Sequence, residues 1–128
     1  MKFLLDTHTF LWWIMNDSQL SKSVIEIMQD GGNQILISAA SGWEIAIKYH
    51  KGRLTLPETP EKFVTEQISA NAFQPLPIFM PHVLRVASLP QHHQDPFDRL
   101  LIAQSMHEQA PILTSDSKIT EYAVDVVW

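Results

Sequence analysis

Asp6, Glu44, Asp98 and Asp116 each stand where an apolar run gives way to a loop or opens a helix, and all four are far apart in sequence. In an open parallel sheet the carboxyl ends of the strands line one crevice, and ligands bind there. Carboxylates gathered in such a crevice repel one another unless a cation lies among them. An all-oxygen ligand set suits Mg²⁺ or Mn²⁺. Each acid also has a plain structural reading. Asp6 can be a turn residue or helix cap, and Glu44 can close a capping box on Ser41. Asp98 can complement a helix dipole, and Asp116 can cap a short helix after it. The joint pattern, more than any single acid, points to metal chemistry.

The neighbouring residues refine this reading. Ser38 can itself cap the helix after it, which puts Glu44 about a turn and a half inside, among apolar Trp43, Ile45 and Ile47. Asp95 followed by Pro96 matches the preferred chemistry of a helix start, so Asp98 is free for other work. Lys48 shares a helix face with Glu44 and reads either as a phosphate contact or as a neutralising partner. Thr7, His8 or Ser115 can orient a carboxylate or a water. His92 and His93 raise zinc, but paired loop histidines read as surface residues and the other candidate ligands are all carboxylates. Arg99 adjoins Asp98 yet points elsewhere on its helix, so it reads as a surface or interface contact. One of Trp12 and Trp13 reads as core and the other as an exposed interface aromatic.

These residues need a scaffold, and the chain alternates strand and helix. Apolar runs at Lys2–Asp6, Gln34–Ser38, Pro111–Thr114 and Val124–Trp128 read as strands. Gln74–Ile78 holds two prolines, which confine it to an edge. Helices are expected over Thr9–Met15, Lys22–Gln29 with Ser21 as cap, Ala39 or Ala40 to His50, Glu61–Ala72, Pro81–Ser88, Pro96–Glu108 and Ser117–Tyr122. Gly52 is placed for a left-handed helix stop. The alternation predicts an α/β fold with helices on both faces of a mostly parallel sheet, in one domain over 1–128.

The 128 residues carry a net charge of −5, with 45% hydrophobic residues and no cysteine. That share of apolar residues excludes a disordered chain. The missing cysteines exclude disulfides, thiolate zinc sites and a cysteine nucleophile, and they fit a reducing cytoplasm. No apolar run approaches membrane length and no signal-peptide pattern is present, so a soluble, unexported protein is expected. The acidic balance argues against nucleic acid as a partner. Much of it would sit in one metal-binding cluster, however, and Lys48, Lys51 and Arg53 could form a locally basic rim.

Four segments in order carry a family resemblance: Phe3-Leu4-Leu5-Asp6-Thr7-His8, Ser41-Gly42-Trp43-Glu44-Ile45-Ala46-Ile47-Lys48, the run from His92 to Gln104 containing Asp95-Pro96-Phe97-Asp98-Arg99, and Leu113-Thr114-Ser115-Asp116. Together they resemble the PIN-domain nucleases, and within them the VapC-type toxins of bacterial toxin–antitoxin pairs. The resemblance implies a PIN-like three-layer α/β/α domain and an Mg²⁺- or Mn²⁺-dependent ribonuclease. Its metal-binding acids fall on Asp6, Glu44, Asp98 and Asp116, with Asp95, one turn earlier, as second choice. It also implies RNA as substrate, a homodimer, and a cognate antitoxin whose tail covers the active site.

Two rivals are weaker on the residues. A haloacid dehalogenase-type phosphatase needs a second Asp two residues after Asp6, where this chain has His8. A receiver domain needs an Asp after the middle strand, where it has Ser38. A non-catalytic metal- or nucleotide-binding module, with the acids serving as caps, is the alternative from another class.

Overall fold

Five strands and six helices alternate in the computed structural model, which describes residues 1–128. In chain order they are β1 (Lys2–Leu5), α1 (Thr7–Ile14), α2 (Lys22–Gln29), β2 (Gln34–Ser38), α3 (Ala39–His50), α4 (Pro60–Ala70), β3 (Gln74–Leu76), α5 (Met80–Arg85), α6 (Pro96–Glu108), β4 (Ile112–Leu113) and β5 (Val126–Val127). The sheet order is β3-β2-β1-β4-β5, and every pairing is parallel.

Strand side chains alternate between faces, so the apolar strands feed two cores. Phe3, Leu5, Ile35, Ile37 and Leu113 face one side, where Phe10, Val24 and Ile45 from α1, α2 and α3 cover them. Leu4, Leu36 and Ile112 face the other, with Leu101 and Ile102 from α6. The expected three layers are therefore present. Phe10, Leu4, Leu5, Leu101 and Ile112 are fully buried, each contributing about 1.5–3 kcal/mol by leaving water. No helix is long and apolar enough to cross a membrane.

Polar residues set the helix ends. The Ser21 hydroxyl accepts the Val24 N–H at 3.1 Å, and the Ser38 hydroxyl accepts that of Ala40 at 3.0 Å. Gly52, at φ +72°, closes α3, with the Arg53 N–H donating to the Lys48 carbonyl at 2.9 Å. Several element bounds move, and three elements change most. Helix α1 starts at Thr7, two residues early, because the Asp6 carboxylate accepts the Thr9 N–H at 2.7 Å. The helix expected over Pro81–Ser88 is α5 followed by a 3₁₀ turn, Val86–Ser88. Ser117–Tyr122 shrinks to a 3₁₀ turn, Ile119–Glu121.

The tryptophan expectation is also corrected. Trp12 and Trp13 are both half-buried against the first core. Trp13 Nε1–H donates to Asn71 Oδ1 at 3.0 Å, and Trp12 meets Trp128 edge-on at 5.7 Å. The most exposed aromatics lie elsewhere, at Trp43 and Phe79.

Candidate metal centre

The chain runs outward from β1 through β2 to β3, then returns to lay β4 on the other side of β1. The strand order reverses between β1 and β4, and crevices at such reversals are where open α/β sheets bind ligands. Asp6 is the residue after β1, and Asp116 follows β4 by three positions. Leu5 pairs with Leu113, so Asp6 and Thr114 emerge side by side. The Thr114 hydroxyl donates to Asp6 Oδ2 and accepts the Asp116 N–H at 3.0 Å. Asp6 is thereby held through both oxygens, with Oδ1 on the Thr9 N–H. Thr9 is anchored in turn, its hydroxyl donating to the Leu113 carbonyl at 2.7 Å.

Helix α3 brings the second acid. The Thr7 hydroxyl donates to the Ser41 hydroxyl at 2.9 Å, tying the start of α1 to α3. Glu44 lies one turn beyond Ser41 on the same helix face. Because Ser38 caps this helix, Glu44 does not serve as a capping-box partner for Ser41. It is buried, at 4% exposure, and its Oε2 pairs with Lys48 Nζ at 2.6 Å. Its Oε1 is buried with no hydrogen-bond partner. A buried carboxylate oxygen left unsatisfied costs about 1–3 kcal/mol or more, so this atom invites a ligand.

Helix α6 brings the third. Asp95 caps it, with Oδ1 accepting the Phe97 and Asp98 amides at 2.8 and 3.2 Å. Asp98 is thus released from capping. Its carboxyl is pushed up from 3.8 to about 7, first by burial, then by Asp95, with His93 pulling it down and Glu44 and Asp6 raising it further. A helix N-terminus favours a negative charge by only about 0.3–1 kcal/mol. Three pKa units correspond to about 4 kcal/mol, so burial and crowding outweigh the dipole. Asp98 therefore feels Glu44 and Asp6 from separate elements.

Two expectations are overturned beside it. His93 is buried, not a surface loop residue. Its Nε2 lies 3.0 Å from Asp98 Oδ2 and 2.9 Å from Asp116 Oδ2, and its Nδ1 accepts the Asp95 N–H at 3.2 Å. Arg99 is likewise buried, at 8% exposure, and makes no surface contact. Its guanidinium donates to the carbonyls of Val86, Leu89, Pro90 and His93 and to the Tyr122 hydroxyl. That hydroxyl also accepts the His92 and His93 amides. The sequence signal for His93 was its position just before the cap, within reach of the Asp95 amide. Nothing in the sequence marked Tyr122 or the buried role of Arg99.

The remaining candidates sit outside this set of contacts. Ser115 is exposed and makes no side-chain hydrogen bond, while its neighbour Thr114 holds Asp6. His8 is exposed and stacks on Trp12. Thr7 bonds Ser41 rather than a carboxylate. Trp43, 60% exposed, meets Phe97 edge-on at 5.2 Å. Both line an apolar groove of about 240 Å³ with Val83, Val86, Pro96 and Leu100.

The PIN domain family profile matches residues 3–125. Ribonuclease VapC16 of Mycobacterium tuberculosis (strain ATCC 25618 / H37Rv) is 43% identical over 56 residues. That alignment spans 44% of this chain and 40% of the relative's length. Among solved structures, VapBC2 from Rickettsia felis bound to a promoter DNA fragment superposes with a TM-score of 0.73 at 14% identity, covering 99% of this chain and 98% of that one. DNA-bound VapBC from Salmonella typhimurium gives 0.71 at 17% identity, covering 99% and 97%. At those identities the two structures attest the fold alone.

Proposed function

The chain belongs to the PIN domain family, and on that premise we propose that it is a metal-dependent endoribonuclease toxin of the VapC type, neutralised by a cognate antitoxin. One observation carries this reading: burial first, and then neighbouring carboxylates that include Glu44 and Asp6 from two other elements, push Asp98 up to about 7, beside a buried Glu44 oxygen with no partner. Helix caps account for Asp6 and Asp95, and a local turn bond from the Lys118 amide for Asp116, but neither accounts for Glu44 or Asp98. The donors are all hard oxygens, which fit Mg²⁺ or Mn²⁺.

Asp6 and Asp98 are the direct holders of the ion, with Glu44 and Asp116 in the same or an adjoining shell. Asp95, whose Oδ1 accepts both cap amides, remains the second choice. A bound divalent ion supplies a water of lowered pKa and offsets charge on the departing oxygen. The chain's own residues set the stage. Thr9 and Thr114 fix the Asp6 carboxylate, and Lys48 fixes one oxygen of Glu44 while leaving the other free. The substrate class is RNA, the assembly a homodimer, the setting the cytoplasm, and the nuclease unit the single domain 1–128.

Purified protein is incubated with RNA and Mg²⁺ or Mn²⁺, against EDTA, comparing wild type with Asp6→Asn and Asp98→Asn. Outer-shell substitutions at metal sites cost about 10–100-fold, so losing a direct ligand should cost more than about 100-fold. Folded variants that cleave as wild type does would sink the assignment and return the acids to capping. The rival binding-module reading requires metal binding without any cleavage.

A further inference from the structure

His93 stands between two of the acids without being claimed by that mechanism. Its Nδ1 accepts the Asp95 backbone N–H at 3.2 Å, so the Nδ1 lone pair is occupied and the ring proton resides on Nε2. Nε2 is 3.0 Å from Asp98 Oδ2 and 2.9 Å from Asp116 Oδ2. A nitrogen bearing a proton has no lone pair to offer a metal, so in this tautomer His93 is a donor to the carboxylates and not a ligand beside them. The ring's delivery is itself built. Arg99 and the Tyr122 hydroxyl clamp the backbone from Val86 to His93, and both are buried.

Asp98 and Asp116 come from different elements, the start of α6 and the turn after β4. Nothing else bridges their side chains. We propose that His93 is a positioning residue: its Nε2–H hydrogen-bonds Asp116 Oδ2 and lies 3.0 Å from Asp98 Oδ2, setting the separation and orientation of two carboxylates that would otherwise splay apart. Its effect on the metal rests on the metal-nuclease reading above, whereas the bridge itself does not. Hydrogen-bonded partners of metal-binding side chains fix ligand orientation, and their loss weakens metal binding about 10–100-fold.

Two readouts other than activity test this. The first is a long-range ¹H–¹⁵N spectrum of the metal-free protein. It should show His93 as the Nε2–H tautomer, with a ring-proton signal that shifts in Asp98→Asn and in Asp116→Asn. The Nδ1–H tautomer, or a signal indifferent to both variants, overturns the bridge. The second is calorimetric Mn²⁺ binding. His93→Ala should bind about 10–100-fold more weakly, and His93→Gln, whose carboxamide N–H reaches the place of Nε2–H, should recover most of that loss. The effect of His93→Ala should shrink in an Asp116→Asn background, as coupled residues do.

Wild-type affinity in a folded His93→Ala overturns the positioning role. So does a folded His93→Gln that binds as poorly as the alanine variant, since the imidazole would then itself be a ligand. Should the alanine variant not fold, the glutamine variant decides alone: affinity within about 10-fold of wild type supports the proposal, and a larger loss overturns it. Absence of Mn²⁺ binding by wild type would sink the nuclease reading instead, and the spectrum would still decide the bridge.

Discussion

His82 and His93 are built alike and surrounded differently. Each ring is buried, and each offers Nδ1 to a nearby backbone amide: Phe79 for His82 at 3.0 Å, Asp95 for His93 at 3.2 Å. Both therefore carry the proton on Nε2. His82 aims it toward Glu108, 3.6 Å away, which is too far for a good hydrogen bond, and Nε2 stays unpartnered. Glu108 lies 3.7 Å from Lys2. His93 meets two acids within 3.0 Å, and one of them, Asp98, is pushed up by burial and by further carboxylates around it. His82, His107 and Glu108 lie close enough to suggest a metal, but a protonated Nε2 on His82 argues against one. The difference teaches that ring geometry alone makes no site. A site arises where the fold forces charges together, and the strand reversal beside β1 does that only at the His93 end.

The most forceful way to break this contrast is to release the loop that carries His93. Arg99→Met strips donors from four carbonyls and the Tyr122 hydroxyl. Each buried acceptor left unpaired costs about 1–3 kcal/mol, and water will reach some of them. Urea unfolding should show a loss of at least about 3 kcal/mol, with Arg99→Lys recovering only part, because an ammonium cannot reproduce the planar fork. A loss under about 1 kcal/mol would mean that the loop is held by other contacts.

A second change acts with the opposite sign. The Asp98 carboxyl is held at about 7 in the folded protein against 3.8 for the free group, so folding favours its protonated form. That contribution is complete below about pH 3.8, declines as pH rises, and is lost above about pH 7. Metal-free protein should therefore lose up to about 4 kcal/mol across that window through this group. Asp98→Asn removes the charge, so it should flatten this part of the profile and exceed wild type in stability at pH 8. Mn²⁺ should restore the wild type at pH 8 and leave the variant unmoved. A variant less stable than wild type at pH 8 would show that crowding at Asp98 is relieved without metal.

Local chemistry was legible in the sequence where one residue acts on its near neighbours. Ser21, Ser38 and Asp95 cap helices as their positions suggest, and Gly52 takes the left-handed turn. Asp6, Asp98 and Asp116 stood out because each lies at or near an element boundary, whereas Glu44, inside α3, stood out by its apolar neighbours. What was not legible depends on distant backbone. Thr114 reaches Asp6 across 108 positions, which follows only from β4 lying beside β1. Arg99 is buried because irregular carbonyls from Val86 to His93 converge on it, and no side-chain pattern encodes carbonyl direction. The same convergence turns His93 inward, against its reading as a surface loop residue.

The smallest expected effect sharpens the contrast most. In His82→Asn, the amide oxygen takes the place of Nδ1 and still accepts the Phe79 N–H, while Nε2 disappears. The loss is ring packing against Phe79 and His107, at 5.6 and 4.9 Å between centroids, so thermal unfolding should report a cost of about 1–2 kcal/mol. Mn²⁺ affinity and RNA cleavage should stay at wild-type values. One route could make this wrong. Gln104 accepts the Ser38 hydroxyl at 2.5 Å through Oε1 and approaches His82 Nδ1 at 3.4 Å through Nε2, so His82 is two hydrogen bonds from the cap of the helix bearing Glu44. Weakened Mn²⁺ binding in a folded His82→Asn would mean that this chain couples the two ends of α6, and that the two histidines serve one site.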